Sequence, residues 1–364
     1  MNFDHYKTVM QEYINHFELI NNEEHNEMSK WSAFKHFQDN YDIEAEDFAA
    51  MFKNAIKDAA WLIDNDTVFP TNGIVYFAEM PETKERVRAM FRSLYEDDGG
   101  DLNVREAKLW KFVDDFNTMH DEYLEGKWKF RQEFRYALLY LTIRFPDENY
   151  LYKATQAHPF ANCIEYERDL GSGRNFSLKN YYHMCDGIVD KIKEFPELEE
   201  LQKGRITSDM YADSNYHLLA FNIIYSAVTY KLFANIDIKK PRKLTAAERA
   251  EIARLDKINE QIIDAEAKLS DLLEIYDAIE SLSVVGMKIE HKDYGTGVVI
   301  EQNGTFVQIK FPEKTVKFQF PTAFKVGRLV LENSAIADYF TTLFDLEKEK
   351  KKQEEYIKSL KSSL

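Results

Sequence analysis

The sequence predicts an α+β fold: a mostly helical N-terminal domain with a β-hairpin, then an antiparallel helical (coiled-coil) arm carrying a small β-barrel. Three observations predict it. Apolar residues recur at spacings of three and four through much of the first 240 residues. A heptad pattern runs from Leu255 to Ile279. Between it and a second charged helical stretch lies HKDYGTGVVIEQNGTFVQIKF, His291 to Phe311, where apolar and polar residues alternate as in a strand. The expected divisions are an α-rich domain over 1–240, a coiled-coil helix over 241–283, the barrel over 284–332 and a C-terminal helix over 333–364.

Residues 1–60 read as helices, because Trp31, Phe34 and Phe37, then Phe48, Met51, Phe52, Ala55 and Ile56, fall on common faces. Turn residues and Pro70 interrupt the pattern in DNDTVFPTN, 64–72. GIVYFAEM, 73–80, is a short apolar run open to two readings, a strand or a helix start. Over 81–95 Val87, Met90, Phe91 and Leu94 share a helical face, and Pro81 suits the first turn. EDDGGD, 96–101, is a loop before an amphipathic helix over 102–123. YALLYLTIRF, 136–145, is strongly apolar and meets Pro146-Asp147-Glu148-Asn149, after which Tyr150 and Tyr152 fall on one side. It reads as a β-hairpin turning at PDEN. Helices are expected again over 180–195 and 217–233.

Thr245 and Glu248 have capping-box spacing, in which each side chain satisfies a free helix-end N–H. The seam that follows is Leu255, Ile258, Ile262, Ala265, Leu269, Leu272, Tyr276 and Ile279. At about 1.5 Å per residue this helix is roughly 50 Å long. Its partner is either the helix starting near Asn333 or Ser334, with Ile336, Phe340 and Leu343 on one stripe, or a second copy of the chain. The last helix loses its seam after Leu346 and is expected to fray. In between, Asn303-Gly304 predicts a two-residue type I′ turn, since both residues tolerate positive φ. Val307, Ile309 and Phe311 alternate with Phe306, Gln308 and Lys310; Val316, Phe318 and Phe320 alternate with Lys317 and Gln319. A first strand over 287–290 completes four or five short strands.

The formal charge is −16 over 364 residues, and a field of that sign repels nucleic-acid phosphate over most of the surface. The charge is uneven. Residues 1–60 hold twelve Asp/Glu against five Lys/Arg, about −7, whereas Val284 to Leu331 hold seven Lys/Arg against four Asp/Glu, about +3. Cys163 and Cys185 are the only cysteines, which excludes a disulfide framework and suits a reducing cytosol. No signal-peptide pattern is visible and no stretch approaches the ~20 apolar residues of a membrane span. A soluble cytoplasmic protein with no membrane partner is expected.

The search for chemistry returns little. The nearest fragments to a phosphate-binding GxxxxGK[ST] loop are Gly126-Lys127 and Gly171-Ser172-Gly173-Arg174, and neither fits. Asp147 and Lys153 fit two parts of a PD…(D/E)xK nuclease core, but Leu151 stands where the second acid belongs. His183 and Cys185 have no second ligand pair, EDDGGD lacks the order of a calcium loop, and there is no GxSxG elbow. No catalytic residue, metal or cofactor is assigned. Binding remains. Lys288, His291, Lys292, Lys310, Lys317, Lys325 and Arg328 are interleaved with Tyr294, Phe306 and Phe324, a mixture suited to phosphate contact and base stacking. The competing reading makes the aromatics core and the lysines edge protection. The candidate contact set is Lys288, His291, Lys292, Tyr294, Phe306, Lys310, Lys317 and Arg328. In the first domain Arg144, Tyr150, Tyr152 and Lys153 are the expected recognition surface.

Six segments occur in a telling order: Trp31 with SAFKHF, Asp47-Phe48 with AAMF, GIVYFAEM with RVRAMFRSLYED, LYLTIRFPDENYLYKATQ, NYYHMCDGIVDKI and NYHLLAFNIIY. Through them residues 30–230 resemble the N-terminal domain of McrB-type (AAA+ GTPase) restriction proteins. The resemblance implies recognition of target DNA, often modified, while a motor and a partner nuclease act on it. This chain departs from the pattern, since no Walker motif follows. GMKIEHKDYGTGVVIE and VKFQFPTAF are similar to SH3- or Tudor-like modules appended to bacterial helicases, with Lys317 to Pro321 the most recognisable piece; such modules bind proteins or nucleic acid. Together these imply a non-catalytic nucleic-acid recognition or adaptor protein of a bacterial defence or DNA-processing system. DNA or RNA would be met through the local basic patch, with a motor or nuclease subunit as partner, in a monomer or coiled-coil dimer. The alternatives are a structural assembly module without nucleic-acid binding, an unrecognised nuclease, and an acidic mimic of nucleic acid.

Overall fold

A helix that is apolar on every side has to be buried, and two such helices, Phe134–Arg144 and His217–Thr229, lie in the core of the first 242 residues. The computed structural model describes residues 1–65, 67–238, 245–332 and 334–364 and divides into two units, Met1–Arg242 and Lys243–Leu364. The expected boundary at 240/241 and the helix start at Asn333 lie outside the described residues. The architecture is mostly helical with one antiparallel sheet near the C-terminus, α+β overall. Among the described residues no helix is long and apolar enough to cross a membrane.

Unit 1 contains α1 (Phe3–Asn15), α2 (Phe17–Ile20), α3 (Ser29–Asn40), α4 (Phe48–Ile56), α5 (Pro70–Glu79), α6 (Lys84–Leu94), α7 (Leu102–Tyr123), α8 (Phe134–Arg144), α9 (Ala154–Cys163), α10 (Leu178–Ile192), α11 (Pro196–Arg205) and α12 (His217–Thr229). GIVYFAEM belongs to a helix, α5, with Pro70 in its first turn. Val87, Met90, Phe91 and Leu94 form the buried face of α6 as their spacing predicts, although Pro81 precedes that helix rather than entering it. Asp101 caps α7, its side chain accepting from the N–H groups of Asn103 and Val104.

The β-hairpin expected around PDEN does not form. Every residue from Tyr136 to Ile143 is buried within α8. The rings of Phe52, Phe91 and Phe112 stand 5.8, 5.6 and 5.9 Å from that of Tyr140. A helix surrounded on all sides has no polar face, so its 3.6-residue period disappears and the run resembles a strand. PDEN is the turn that ends it: Glu148 N–H and Asn149 Nδ2 both donate to Phe145 O, at 3.2 and 2.8 Å. Two polar groups are built into this core. The Lys30 ammonium donates to the Glu27 carboxylate and to Asn222 Oδ1 (2.9 Å), and Asn222 Nδ2 donates to Tyr13 OH (2.8 Å). Asp213 accepts from Leu218 N–H, Leu219 N–H and Trp31 Nε1–H, tying the start of α12 to α3.

Unit 2 contains α13 (Ala246–Glu280), β1 (Lys288–His291), β2 (Gly295–Gln302), β3 (Phe306–Lys310), β4 (Thr315–Gln319), α14 (Thr322–Lys325), β5 (Val330–Leu331) and α15 (Ser334–Lys361). The capping box forms: Thr245 N–H donates to Glu248 Oε2 (2.7 Å) and Glu248 N–H to Thr245 Oγ1 (3.2 Å). Every seam position from Leu255 to Tyr276 is at least partly buried; the side chain of Ile279 lies outside the described residues. α13 and α15 run antiparallel. Tyr276 OH donates to Glu347, Gln353 Nε2 to Ala265 O, and Arg254 to Ser363 O, so the contacts climb one helix while descending the other. α15 does not fray at Leu346. It continues to Lys361 with Ile357 buried, because the pairing is sustained by single apolar residues among charges rather than by a full seam.

The sheet has the order β4-β3-β2-β1-β5, all antiparallel. β4 and β5 do not pair with each other, so the expected barrel is not closed. β5 has only two residues, and α14 and α15 cover the inner face instead, supplying Phe324, Phe340 and Leu343 to the core of Ile289, Val299, Val307, Ile309 and Leu331. The type I′ turn at Asn303-Gly304 is also corrected, since neither residue takes a positive φ. A three-residue connection replaces it, held by Asn303 Oδ1 accepting from Thr305 N–H and Phe306 N–H, both 2.9 Å. A register shift between Val299 and Glu301 accompanies it.

Two outcomes follow from this packing. A Cβ on Gly297 would lie 2.7 Å from both Ile309 and Phe311, so Gly297→Val should destabilise unit 2 by about 1–3 kcal/mol, read by chemical denaturation of the full chain. Burial pushes the Asp213 carboxyl up to about 7, against the N–H groups donated to it and with Asp147 adding to the rise. The folded chain thus keeps a proton that the unfolded chain releases near 3.8. The associated stability is full below that value and is lost as pH rises to about 7. Thermal denaturation across this range should show the decline, and Asp213→Asn should flatten it.

Candidate functional site

The β1–β2 turn consists of Lys292, Asp293 and Tyr294, between the paired residues His291 and Gly295. Gly295 closes it with φ +69, a left-handed conformation that other residues rarely adopt. Strand alternation sets the direction of each side chain. His291 lies on the inner face with Ile289, and Val316 and Phe318 on the inner face of β4, opposite Ile309 and Val307. At this end of the sheet the covering helices leave the inner face partly open, so His291, Tyr294, Val316 and Phe318 are only half-buried.

These residues line a groove of about 970 Å³ whose rim includes Lys292, Asp293 and Arg328. Its floor is aromatic. His291 stacks on Tyr294 with ring centroids 4.5 Å apart and planes 14° from parallel; Phe318 lies 5.1 Å from His291, and Phe311 5.3 Å from Tyr294. Lys314, in the β3–β4 turn, holds its ammonium 3.8 Å from the Tyr294 ring centroid. Asp293 N–H donates to His291 Nδ1 at 3.1 Å. The neutral ring therefore carries its proton on Nε2.

The remaining candidates lie on the outer face. Lys288, Phe306, Lys310 and Lys317 point away from the core, and the Lys317 ammonium sits 4.1 Å from the Phe306 ring. The eight expected contact residues thus divide into a groove set (His291, Lys292, Tyr294, Arg328) and an outer-face set. Phe324 is core, as the competing reading had it, and Lys325 pairs with Glu347. Lys288 is 3.9 Å from Glu332. Among the described residues Lys292, Lys310, Lys314, Lys317 and Arg328 have no carboxylate at ion-pair distance. Many cations of unit 1 are paired instead, for example Arg86 with Glu122 (2.6 Å), Arg92 with Glu44 (2.6 Å) and Arg105 with Asp98 (2.7 Å). Phe311, Phe318 and Lys314 were not among the expected residues. Alternation marks Phe311 and Phe318 only as inward-facing; strand register and the β3–β4 turn bring all three to Tyr294.

In unit 1 the four expected residues do not form one surface. Tyr150 is 2% exposed, its ring packed against His217 (4.1 Å) and Tyr182 (5.1 Å) and its OH donating to Asp186 at 2.7 Å. Without a hairpin there is no outward face to present it. Tyr152 packs on Phe176 and Tyr181. Arg144 lies over Tyr41 and Phe145, whereas Lys153 lies 5.3 Å from the Tyr225 ring. Burial, and then Arg135 nearby, lower the pKa of Lys153. Asp147 accepts from Tyr211 OH at 2.5 Å. Among the described residues no three His, Cys, Asp or Glu side chains are grouped to hold a metal, and both cysteines are buried thiols.

Comparison with known proteins returns no match to a protein-family model, a curated protein or a solved structure. The likeness to McrB-type and SH3- or Tudor-like domains therefore rests on the sequence segments alone. Because Tyr150 belongs to the core, Tyr150→Phe should lower stability by about 1 kcal/mol through its lost hydrogen bond to Asp186. Calorimetry should register that loss.

Proposed function

We propose that this chain is a non-catalytic nucleic-acid recognition or adaptor protein, of the kind found in bacterial defence or DNA-processing systems. The observation that carries the proposal is a set of five cations, Lys292, Lys310, Lys314, Lys317 and Arg328, with no carboxylate at ion-pair distance among the described residues, displayed with half-buried aromatics on one small sheet and its turns. Val284 to Leu331 hold seven Lys/Arg against four Asp/Glu, a local excess of positive charge in a chain of −16. Unpaired Lys and Arg exchange counterions for phosphates on binding, and adjacent aromatic rings add stacking. The resemblance of residues 30–230 to McrB-type domains agrees with this reading and suggests a motor or nuclease subunit as partner.

A second reading has its own support. Val298, Ile300 and Val330 are exposed apolar side chains of the sheet, which suits an assembly module that docks another protein. Fluorescence anisotropy separates the two. Under the first reading DNA or RNA binds and weakens steeply with salt, and replacing Lys292, Lys310 and Lys317 together by Glu lowers affinity by roughly tenfold or more at moderate salt. Affinity unchanged by that triple reversal would remove the sheet from the interface.

A further inference from the structure

Resting on that reading, we infer that the groove at the His291–Tyr294 end of the sheet takes single-stranded nucleic acid, with a base stacked on Tyr294. The outer face and the groove offer different chemistry. Lys288, Lys310 and Lys317 on the outer face form an open array with one half-buried ring, Phe306. Such a face can meet the phosphates of a duplex or a single strand equally. The groove is concave, about 970 Å³ in volume, and floored by His291, Tyr294 and Phe318, with the unpaired Lys292 and Arg328 on its rim. A duplex keeps its base faces stacked inside and presents phosphates and base edges. A single strand offers base faces, and stacking on aromatic side chains beside a cationic rim is the recurring way to hold one.

Tyr294 supplies the specific feature. One face of its ring is covered by the near-parallel His291 imidazole, and the Lys314 ammonium lies 3.8 Å from the ring centroid. Lys314 is an exposed side chain on a turn, and a cation–π contact at an exposed site is weak. An arriving base takes the face that Lys314 covers, and the released ammonium is then beside the strand's phosphates. His291, with its proton on Nε2, backs the stack. Glu290 and Asp293 also border the groove; they disfavour a phosphate placed against them and so direct the backbone toward Arg328 and Lys314.

The test uses the full chain, a labelled oligo(dT) strand and a duplex of equal length. Single-strand affinity should exceed duplex affinity by roughly tenfold. Tyr294→Ala should remove most of that preference, Tyr294→Phe should retain it, and Arg328→Glu should weaken the single strand most. Lys310→Glu with Lys317→Glu should weaken both substrates alike. Arg328 is exposed, so its variant keeps the test decisive if Tyr294→Ala unfolds the sheet. Equal binding of strand and duplex, insensitive to Tyr294 and Arg328, would overturn the groove assignment while leaving the nucleic-acid reading intact. Binding of neither would end both. A peptide that binds in a Tyr294-dependent way, without competition from oligo(dT), would assign the groove to a protein and overturn the inference.

Discussion

The five-stranded sheet of unit 2 cannot bury its own inner face, and the rest of that unit is arranged around this constraint. An open sheet needs a second layer. Here the layer is α14 with the base of α15. Phe340 stands 5.8 Å from Phe320 and 5.0 Å from Phe324, forming one aromatic cluster across strand end, short helix and long helix. The antiparallel pairing of α13 and α15 holds that base in place, and Tyr276 and Leu346 join the same core. Gly297 completes the fit, since only a residue without Cβ lets Phe311 lie against β2. Sheet and helix pair are thus parts of a single core.

The groove is a consequence of the same arrangement. The covering helices pack on Ile289, Val299, Val307 and Ile309, while His291 and Phe318 continue the inner face past them. Residues that would be core in a closed barrel are left half-exposed there, and the adjacent turns supply Tyr294 and Lys314. An incompletely covered sheet face becomes an aromatic surface with cations at its margin. This is a physical origin for an aromatic groove that requires no dedicated motif.

Unit 1 manages charge differently. Its buried cations are satisfied internally. Arg105 lies between Asp98 and Glu148 O, and Lys30 between Glu27 and Asn222 beneath the Tyr225 ring. Burial lowers the Lys30 pKa and the Glu27 carboxylate opposes that shift. Breaking such a pair would leave one charge buried alone, which is costlier than never having placed it there. These groups belong to the architecture of the unit, whereas among the described residues Lys292, Lys310, Lys314, Lys317 and Arg328 have no carboxylate at ion-pair distance.

How much was legible follows from what each pattern measures. The sequence by itself determined the α7 helix, the heptad seam and the alternation of β3 and β4, because each is a local periodicity written by one exposed and one buried face, and the capping box at Thr245, because its hydrogen bonds join residues three apart. It misread α8 as a hairpin, since a helix buried on all sides loses the polar face that reveals its period. It also placed Tyr150 on a surface for the same reason. It named His291, Lys292, Tyr294 and Arg328 as candidates by composition alone, without distinguishing them from Lys288, Lys310 and Lys317. Only the tertiary structure decided that division, together with the open edge between β4 and β5 and the meeting of Phe318 and Lys314 with the His291–Tyr294 stack. Strand register and the reach of the covering helices are set by contacts between distant segments, and no local pattern encodes them.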